Sequence, residues 1–152
     1  MSYRKLDEID LTLLRVLQTR GRITRKDLAA IVELSIPAVS DRIRKLEQDE
    51  IIKGYTATLN KDLMGLTANA FIFLKVESGK YKEVIERSLQ EPNILECHAI
   101  TGNATHLMKV CCRNNMELEE LLATIQSWGG MQSTLTHIVL SSPKETLQLH
   151  IP

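Results

Sequence analysis

Residues 69–140 alternate between strand-like and helix-like apolar patterns, and the order of these patterns leaves few possible folds. The stretches 69–77, 94–101, 106–113 and 133–140 are typical of strands, whereas 80–90 and 116–128 place apolar residues at helical spacing. The order β-α-β-β-α-β is that of a doubled βαβ unit, so the sequence predicts a ferredoxin-like domain. A turn at Gly102-Asn103-Ala104-Thr105 would join the two middle strands.

Two of the predicted strands are apolar on both faces, which indicates a partner subunit. Phe71-Ile72-Phe73-Leu74 shows no alternation, and neither does Leu107-Met108 with Val110-Cys111-Cys112. A ferredoxin-like sheet carries its helices on one face, and a strand that is apolar on both sides is normally covered on both sides. We therefore expect a homodimer that uses the open face of the sheet.

The first fifty residues have a helical pattern instead. Apolar residues recur at helical spacing over residues 6–17. Thr24 and Ser35 are the predicted N-caps of two further helices, and Asp27 would complete a capping box in which the hydroxyl and the carboxylate each serve a backbone N–H. The Thr/Tyr-rich stretch 53–60 is predicted to form a strand after the third helix.

The second and third predicted helices form a helix-turn-helix candidate from Arg25 to Arg44. Residues 15–45 hold eight basic side chains against three acidic ones, although the whole chain has no net charge. A helical wheel with Val39 inward turns a small and basic set outward, namely Pro37, Ala38, Asp41, Arg44 and Lys45. Such a helix can lie in the major groove of DNA with its cations on phosphates, whereas the competing interpretation is a solvated basic face. The candidate DNA-binding residues are Arg25, Lys26, Ser35, Pro37, Ala38, Ser40, Asp41, Arg42, Arg44 and Lys45.

Several motifs, in a fixed order, resemble those of one family of regulators. They are Leu6-Asp7-Glu8-Ile9-Asp10, Asp27-Leu28-Ala29, Leu34-Ser35, the runs 39–47 and 51–55, Glu96-Cys97-His98, Thr101-Gly102, and the runs 107–110 and 133–140. Over nearly its whole length the chain resembles the Lrp/AsnC (feast/famine) transcription regulators of bacteria and archaea. The resemblance implies a winged helix-turn-helix followed by an effector domain. It also implies dimers, commonly assembled into octamers, that bind double-stranded DNA and respond to small amino acids.

The chain departs from the family pattern in three places. Many members carry glycine where Glu33 and Glu50 stand, and a non-glycine residue in a left-handed turn costs about 1 kcal/mol. We expect either that these turns are not left-handed or that the fold absorbs the cost. Many relatives also read Asp-Tyr-Asp where this chain has Asn103-Ala104-Thr105, so a carboxylate that could hold an effector's ammonium group is missing.

The same hairpin is the candidate effector site. A free amino acid needs acceptors for its ammonium group and donors for its carboxylate, and exposed backbone at a glycine hairpin offers both. The resemblance implies that effectors sit against this hairpin where dimers meet, with Gln126, Thr134 and Thr136 as neighbours. The candidate effector-binding residues are therefore Gly102, Asn103, Ala104, Thr105, Gln126, Thr134 and Thr136. Alternatively, the glycine only permits a tight turn and the threonines only favour a strand.

The two patterns predict an α+β chain of two domains. A winged helix-turn-helix domain is expected over 1–60, a linker over 61–66, and a ferredoxin-like effector-binding and oligomerisation domain over 67–152. No apolar run approaches the length of a membrane span, and the opening Ser2-Tyr3-Arg4-Lys5 is unlike a secretory signal. Three cysteines without a CxxC spacing do not build a disulfide framework. We therefore expect a cytoplasmic protein without membrane association.

Two other functions are compatible with this architecture. Some decarboxylases of haem biosynthesis resemble it, but they would need cationic or histidine groups around a tetrapyrrole cavity, and only seven basic residues follow residue 66. An architectural DNA-binding protein of low sequence specificity is the other alternative. The chain has no GxSxG, P-loop or HExxH pattern, and Cys97 with His98, like Cys111 with Cys112, would point to opposite faces of a strand. We therefore expect no catalytic residues, no cofactor and no metal site.

Overall fold

The computed structural model describes residues 5–151, and the chain divides into two compact units. One unit contains the residues up to Thr58 together with the segment from Lys144 onward, and the other spans Leu59–Pro143. Residues 1–4 and 152 lie outside the described residues. They include Ser2, Tyr3 and Arg4 of the opening Ser2-Tyr3-Arg4-Lys5. They also include the first residue of the first predicted domain and the last residue of the second. The predicted linker at 61–66 and the predicted domain limits remain predictions.

The first unit contains three helices, α1 (Glu8–Thr19), α2 (Arg25–Ile31) and α3 (Ile36–Gln48). Each helix follows a side chain that accepts a hydrogen bond from a first-turn backbone N–H, and these caps are Asp7, Thr24 and Ser35. The predicted caps at Thr24 and Ser35 are confirmed. The capping box differs from the predicted one in one detail. The Asp27 carboxylate accepts a hydrogen bond from the Thr24 hydroxyl, with 2.8 Å between the two oxygen atoms.

The three helices of the first unit share one apolar core. Leu13 of α1, Leu28 of α2, and Val39 and Ile43 of α3 are fully buried. Burial of one such side chain stabilises the fold by about 1.5–3 kcal/mol, so this core holds the short helices together. The predicted helix-turn-helix, formed by α2, the turn after it and α3, is confirmed.

Residues 53–60 were the predicted strand of the first unit, and the structure assigns no strand to them. A strand exists through its hydrogen-bonded ladder to a neighbour, and every ladder found within residues 5–151 belongs to the second unit. The strand prediction is therefore wrong for the chain as described. Threonine and tyrosine favour a strand only where a partner strand is available.

The C-terminal segment, which the sequence places in the second domain, contacts α1 instead. The side-chain oxygen of Gln18 accepts the backbone N–H of Leu149 at 2.6 Å, and its Nε2 donates to the carbonyl oxygen of the same residue at 3.1 Å. The backbone carbonyl of Gln18 also accepts from Gln148 Nε2 at 3.4 Å. A side-chain amide thus pairs with both backbone groups of one residue, as a neighbouring strand would.

The second unit has the predicted order of elements. They are β1 (Ala68–Val76), a 3₁₀ turn (Ser78–Lys80), α4 (Tyr81–Gln90), β2 (Ile94–Ala99), β3 (His106–Cys112), α5 (Asn115–Gln126) and β4 (Met131–Ile138). The strands form one sheet in the order β2-β3-β1-β4, and all neighbours are antiparallel. The predicted ferredoxin-like domain is confirmed.

The central strand β1 alternates in burial although its sequence does not alternate in polarity. The residues that face the helices are buried, and they are Ala68, Ala70, Ile72, Leu74 and Val76. On the opposite face Phe71 keeps 37% of its surface exposed, and Leu135 of the adjacent strand keeps 60%. One face of the sheet therefore forms the core, and the other presents apolar side chains to solvent.

Two non-glycine residues adopt left-handed backbone at the ends of α2 and α3. Glu33 and Glu50 each have a φ of 55°. After each helix an N–H reaches back to a last-turn carbonyl, from Leu34 to Ala29 at 3.0 Å and from Ile51 to Leu46 at 2.9 Å. These are Schellman-type ends, in which glycine is the usual residue at the left-handed position. Both turns are therefore left-handed, and the fold absorbs the cost.

We predict that Glu33→Gly and Glu50→Gly each raise the free energy of unfolding by about 1 kcal/mol. Glycine removes the left-handed strain of about 1–2 kcal/mol, and its greater entropy in the unfolded chain offsets part of that gain. Thermal and urea unfolding measure the change. Ala30→Gly, at an exposed position in the last turn of α2, is the matched control and should lose up to about 1 kcal/mol. A loss of stability in both glutamate variants would contradict the assignment of strain.

Candidate DNA-binding surface and ligand cleft

The outward side of α3 carries four of the ten predicted DNA-binding side chains. Its inward side is formed by the fully buried Val39, Ile43 and Leu46. The exposed residues of the opposite side are Pro37, Asp41, Arg44 and Lys45, whereas Ala38 and Ser40 are half-buried. Lys26 of α2 is exposed as well, and the Ser35 hydroxyl accepts the N–H of Ala38 at 3.3 Å. The helical wheel therefore placed the exposed cations of α3 correctly.

Arg42, also predicted to bind DNA, is turned toward α1. One guanidinium nitrogen, Nη1, donates to Asp7 Oδ2 at 2.7 Å and to Asp10 Oδ1 at 2.8 Å. The Asp10 side chain is only 2% exposed. Hydrogen bonds to Asp7 and Asp10 raise the pKa of Arg42, and the pKa of Asp7 is lowered first by the Asp10 N–H and then by Arg42. Arg42 thus ties α3 to the start of α1.

Sequence reasoning missed the role of Asp7 and Asp10. Acidic residues in the first turn of a helix are common because they interact favourably with the helix dipole, so the two carboxylates carry no distinguishing signal. Their spacing of three residues does place them on one side of α1. The only available clue was that a cation on α3 could reach that side.

Arg44 forms an exposed ion pair on its own helix. Its Nη2 lies 2.7 Å from Asp41 Oδ1, and both side chains are more than 60% exposed. An ion pair in water contributes about 0–1 kcal/mol, so a DNA phosphate can replace Asp41 as the partner of Arg44 at little cost. Arg44 and Lys45 are therefore accessible cations, whereas Arg42 is held by the fold.

A second polar cluster joins α2, α3 and the segment after α3. The Tyr55 hydroxyl donates to Glu47 Oε1 at 2.8 Å, and Arg25 Nη2 lies 3.9 Å from the same oxygen. Burial is the main cause that raises the pKa of Tyr55, and the Glu47 carboxylate raises it further. Arg25 is therefore partly engaged within the first unit. No pattern in the sequence indicated that Glu47 and Tyr55 are its neighbours.

The predicted hairpin between β2 and β3 is present, and Thr105 anchors it to the end of β1. The Thr105 hydroxyl accepts the Val76 N–H at 3.0 Å and lies 3.1 Å from the Leu74 carbonyl, which also accepts the Thr105 N–H at 2.8 Å. Gly102 has a φ of 113°, which side chains rarely adopt. Thr105 thus has a structural role, whereas Asn103 is exposed and Ala104 is half-buried.

His106 follows Thr105 and points into the core. It is 1% exposed, its Nδ1 lies 3.0 Å from the Thr105 hydroxyl, and Tyr81 packs edge-on at 5.0 Å between ring centroids. Its Nε2 is buried and has no hydrogen-bond partner in the described part of the chain. Burial lowers the pKa of His106. Burial therefore favours the neutral form of the imidazole over the charged form.

A cleft of about 300 Å³ lies on the open face of the sheet beside the hairpin. The strands contribute Phe73 and Lys75 from β1 and Ser133 and Leu135 from β4, while the hairpin side contributes Ile100, Thr101, Asn103 and Ala104. Two of the seven predicted effector-binding residues, Asn103 and Ala104, thus line one cleft. Its mixture of apolar walls and a few polar groups is typical of a site for a small molecule.

Three other predicted effector-binding residues, Gln126, Thr134 and Thr136, lie on the opposite side of the sheet from this cleft. Gln126 Nε2 donates to Thr134 Oγ1 at 3.0 Å, which joins α5 to β4 on the helix side of the sheet. Thr136 pairs with the buried Ile72 and so shares that side. Within one chain, the structure therefore brings Gln126 to Thr134 but not to the hairpin.

Two of the three cysteines lie in the interior of the second unit. Cys111 and Cys112 are buried, and burial is the first cause that raises the pKa of Cys112 to about 11. In residues 5–151 no three His, Cys, Asp or Glu side chains are grouped so that they could hold a metal ion. No helix in the same range is long and apolar enough to cross a membrane.

Both units match known family models. Residues 6–53 match a winged helix-turn-helix DNA-binding model, and residues 69–149 match the Lrp/AsnC ligand binding domain. The two matches follow the division between the three-helix arrangement and the ferredoxin-like sheet. The fold and the order of the units thus agree with the expectation from the sequence motifs.

Individual relatives extend over nearly the whole chain. The HTH-type transcriptional regulator FL11 of Pyrococcus horikoshii is 36% identical, over 96% of this chain and 97% of its own length. A transcriptional regulator of Neisseria meningitidis, solved as a complex with L-methionine, has a TM-score of 0.89 at 30% identity and covers 96% and 97% of the two chains. A feast or famine regulatory protein of M. tuberculosis complexed with L-methionine has a TM-score of 0.91 at 29% identity, covering 97% and 100%.

We predict that His106 makes the protein less stable as the pH falls below about 6.5, the ordinary pKa of histidine. The pKa of His106 is lowered in the folded chain, so the unfolded chain binds the proton first and the free energy of unfolding decreases with falling pH. His106→Leu should flatten this dependence between pH 7.5 and pH 5, measured by urea unfolding.

A change in core packing alone must be separated from this effect. Met108→Leu alters another fully buried side chain of β3 and should keep the wild-type pH dependence. If His106→Leu also keeps the wild-type dependence, proton uptake by His106 does not contribute.

Proposed function

Because the chain belongs to the Lrp/AsnC family of transcriptional regulators, we propose that its DNA affinity or its assembly is controlled by a small amino acid. The protein is a DNA-binding regulator with an N-terminal helix-turn-helix and a C-terminal ligand binding domain. The observation that carries the proposal is the pairing of two surfaces in one chain, a cationic helix-turn-helix and a small-molecule cleft beside the hairpin. We place its action in the cytoplasm, where DNA and free amino acids are both accessible.

We infer that α3 enters the major groove of double-stranded DNA. Arg44 and Lys45 supply phosphate contacts, and Lys26 and Arg25 add cations from α2. Pro37, Ala38, Ser40 and Asp41 lie near base edges, and Ser35 holds the helix start. Arg42 contributes indirectly, because it positions α3 through Asp7 and Asp10.

We predict that substitutions of Arg44 and Arg42 affect different properties of the protein. Arg44→Ala should weaken binding to all DNA sequences and lower the salt slope by about one unit, because one phosphate contact is lost, with stability unchanged. Arg42→Met should lower the free energy of unfolding by about 3 kcal/mol, because the buried Asp10 carboxylate loses a cation. Fluorescence anisotropy over a range of salt concentrations and urea unfolding give the two readouts.

Lys82→Ala is the control for removal of a charge elsewhere, since Lys82 lies on α4 with 90% of its side chain exposed. It should change neither readout. An unchanged salt slope in Arg44→Ala would contradict the proposed docking. Competition between promoter DNA and bulk DNA in the same assay separates a sequence-specific regulator from an architectural protein of low specificity.

We propose that two chains form a homodimer through the open face of the sheet, and that dimers assemble further, up to an octamer. The supporting observation is the apolar surface on that face, which includes Phe71, Phe73 and Leu135. Burial of such side chains between subunits contributes about 25 cal/mol per Å². A two-fold dimer would present two copies of α3 and favour a pseudo-palindromic site.

Phe71→Asp should convert the dimer to monomers, because a carboxylate on this face cannot be buried against a second apolar face without a large desolvation cost. Light scattering measures the mass in solution. Leu89→Asp makes the same kind of change at an 81% exposed position of α4 and should leave the dimer intact. A folded dimer in Phe71→Asp would move the interface to another surface.

We propose that the amino acid binds in the cleft against Asn103 and Ala104, with Gly102 shaping the hairpin. Complexes of two structural relatives with L-methionine support this class of ligand. Gln126, Thr134 and Thr136 would join the site from another chain, where dimers meet.

A ligand that binds only the folded protein raises the melting temperature, so a thermal-shift screen of the twenty amino acids should select at least one. Ala104→Leu would fill part of the cleft and should abolish that shift while DNA binding persists. Ala104→Ser, which adds a single oxygen atom, is the control and should keep it. A full shift in Ala104→Leu would place the site elsewhere.

A further inference from the structure

The cleft beside the hairpin has an unbalanced charge. Four of its residues are apolar, namely Phe73, Ile100, Ala104 and Leu135. Three are polar and neutral, namely Thr101, Asn103 and Ser133. Lys75 is the one charged residue among those that line it, so the lining contains a cation and no carboxylate.

Lys75 differs from other lysines of the same unit. Lys109, on the same face of the sheet, lies 3.4 Å from Glu96, and Lys80 lies 3.1 Å from Glu83. No described residue forms an ion pair with Lys75, which stands opposite Ser133 on the neighbouring strand and is exposed. Its ammonium group is therefore available to a ligand.

The residues that line the cleft interact differently with the carboxylate and with the ammonium group of an amino acid. A carboxylate of the ligand can form a charge-assisted hydrogen bond with Lys75, which is about twice as strong as a neutral one. A ligand ammonium group finds only hydroxyl, amide and backbone oxygens, and it is repelled by Lys75. The carboxylate and the apolar side chain of the ligand should thus supply most of the affinity.

We propose that the cleft recognises small apolar carboxylic acids whether or not they carry an ammonium group, so that a 2-oxo acid binds about as tightly as the corresponding amino acid. This inference rests on the proposed function, since it assumes that the cleft is the effector site. It extends the effector class from amino acids to their deaminated counterparts. The regulator would then respond to the combined level of an amino acid and its 2-oxo acid.

Asn103 offers a direct way to alter this selectivity. Its amide occupies the hairpin beside the cleft, and aspartate has nearly the same shape. Asn103→Asp would add a carboxylate that attracts an ammonium group and repels a second carboxylate. The substitution should therefore create a preference for the amino acid without changing the volume of the site.

The test is calorimetry on the full chain with two matched pairs of ligands. The pairs are leucine with 4-methyl-2-oxopentanoate and methionine with 4-methylsulfanyl-2-oxobutanoate. In the wild type the dissociation constants within at least one pair should agree within about threefold, and Lys75→Met should weaken both members about tenfold. Asn103→Asp should favour the amino acid by about tenfold, and Lys82→Met, a surface control on α4, should change nothing.

The outcomes separate this inference from the function on which it rests. Amino acids that bind about tenfold more tightly than their 2-oxo acids in the wild type, or an unchanged affinity in Lys75→Met, would overturn the inference and leave an amino-acid effector in place. If neither pair nor any other amino acid binds the wild type, the proposed effector function fails and the inference fails with it.

Discussion

The ionic contact of Arg42 with Asp7 and Asp10 determines how the DNA-binding unit is arranged. One guanidinium group spans two carboxylates of α1, and one of those carboxylates is almost completely buried. A buried charge needs a partner in one place, so the contact favours one orientation of α3 relative to α1 over others that an apolar core would tolerate. Arg44 and Lys45 face solvent because they lie on the side of α3 opposite the buried Val39, Ile43 and Leu46. Among the cations of α3, Arg42 thus holds the helix against α1, whereas Arg44 and Lys45 are available to contact a polyanion.

In the second unit, the residues of β1 are likewise divided between two roles. Some of them form the core, and the others form the open face of the sheet. The inward residues of β1 fill the core beneath α4 and α5, and its outward residues include Phe71, Phe73 and Lys75. Because successive side chains of a strand point to opposite faces, packing on one side fixes what the other side presents. The apolar surface proposed for dimerisation and the cation proposed for ligand recognition are therefore next to each other on one strand. Phe73 and Leu135 belong both to this surface and to the cleft, so a ligand in this cleft would lie at the edge of the proposed subunit interface.

The features that could be predicted from the sequence depend on neighbours in the chain. The caps Thr24 and Ser35, the apolar spacing of the helices and the Gly102 hairpin all depend on residues a few positions apart. The features that could not be predicted join distant residues, as Arg42 does with Asp10 and Thr105 does with Leu74. The sequence does not show that Arg42, one of several basic residues on α3, contacts α1. It also does not show that the hydroxyl of Thr105, a turn residue, forms hydrogen bonds with the end of β1. Glu33 and Glu50 lie between these cases, because their positions were identified and only the structure gave their φ angles.

The pairing of Gln18 with Leu149 has a consequence for biosynthesis. The first unit is built from two segments that are far apart in the sequence, since the residues up to Thr58 are joined by the segment from Lys144 onward. A ribosome adds about 5–20 residues per second. The helix-turn-helix therefore emerges several seconds before the segment from Lys144 onward, which completes the first unit. During that interval α1 exposes the surface that Gln148 and Leu149 later contact. A premature stop codon before Lys144 would therefore leave the DNA-binding unit incomplete, although all three of its helices would already be encoded.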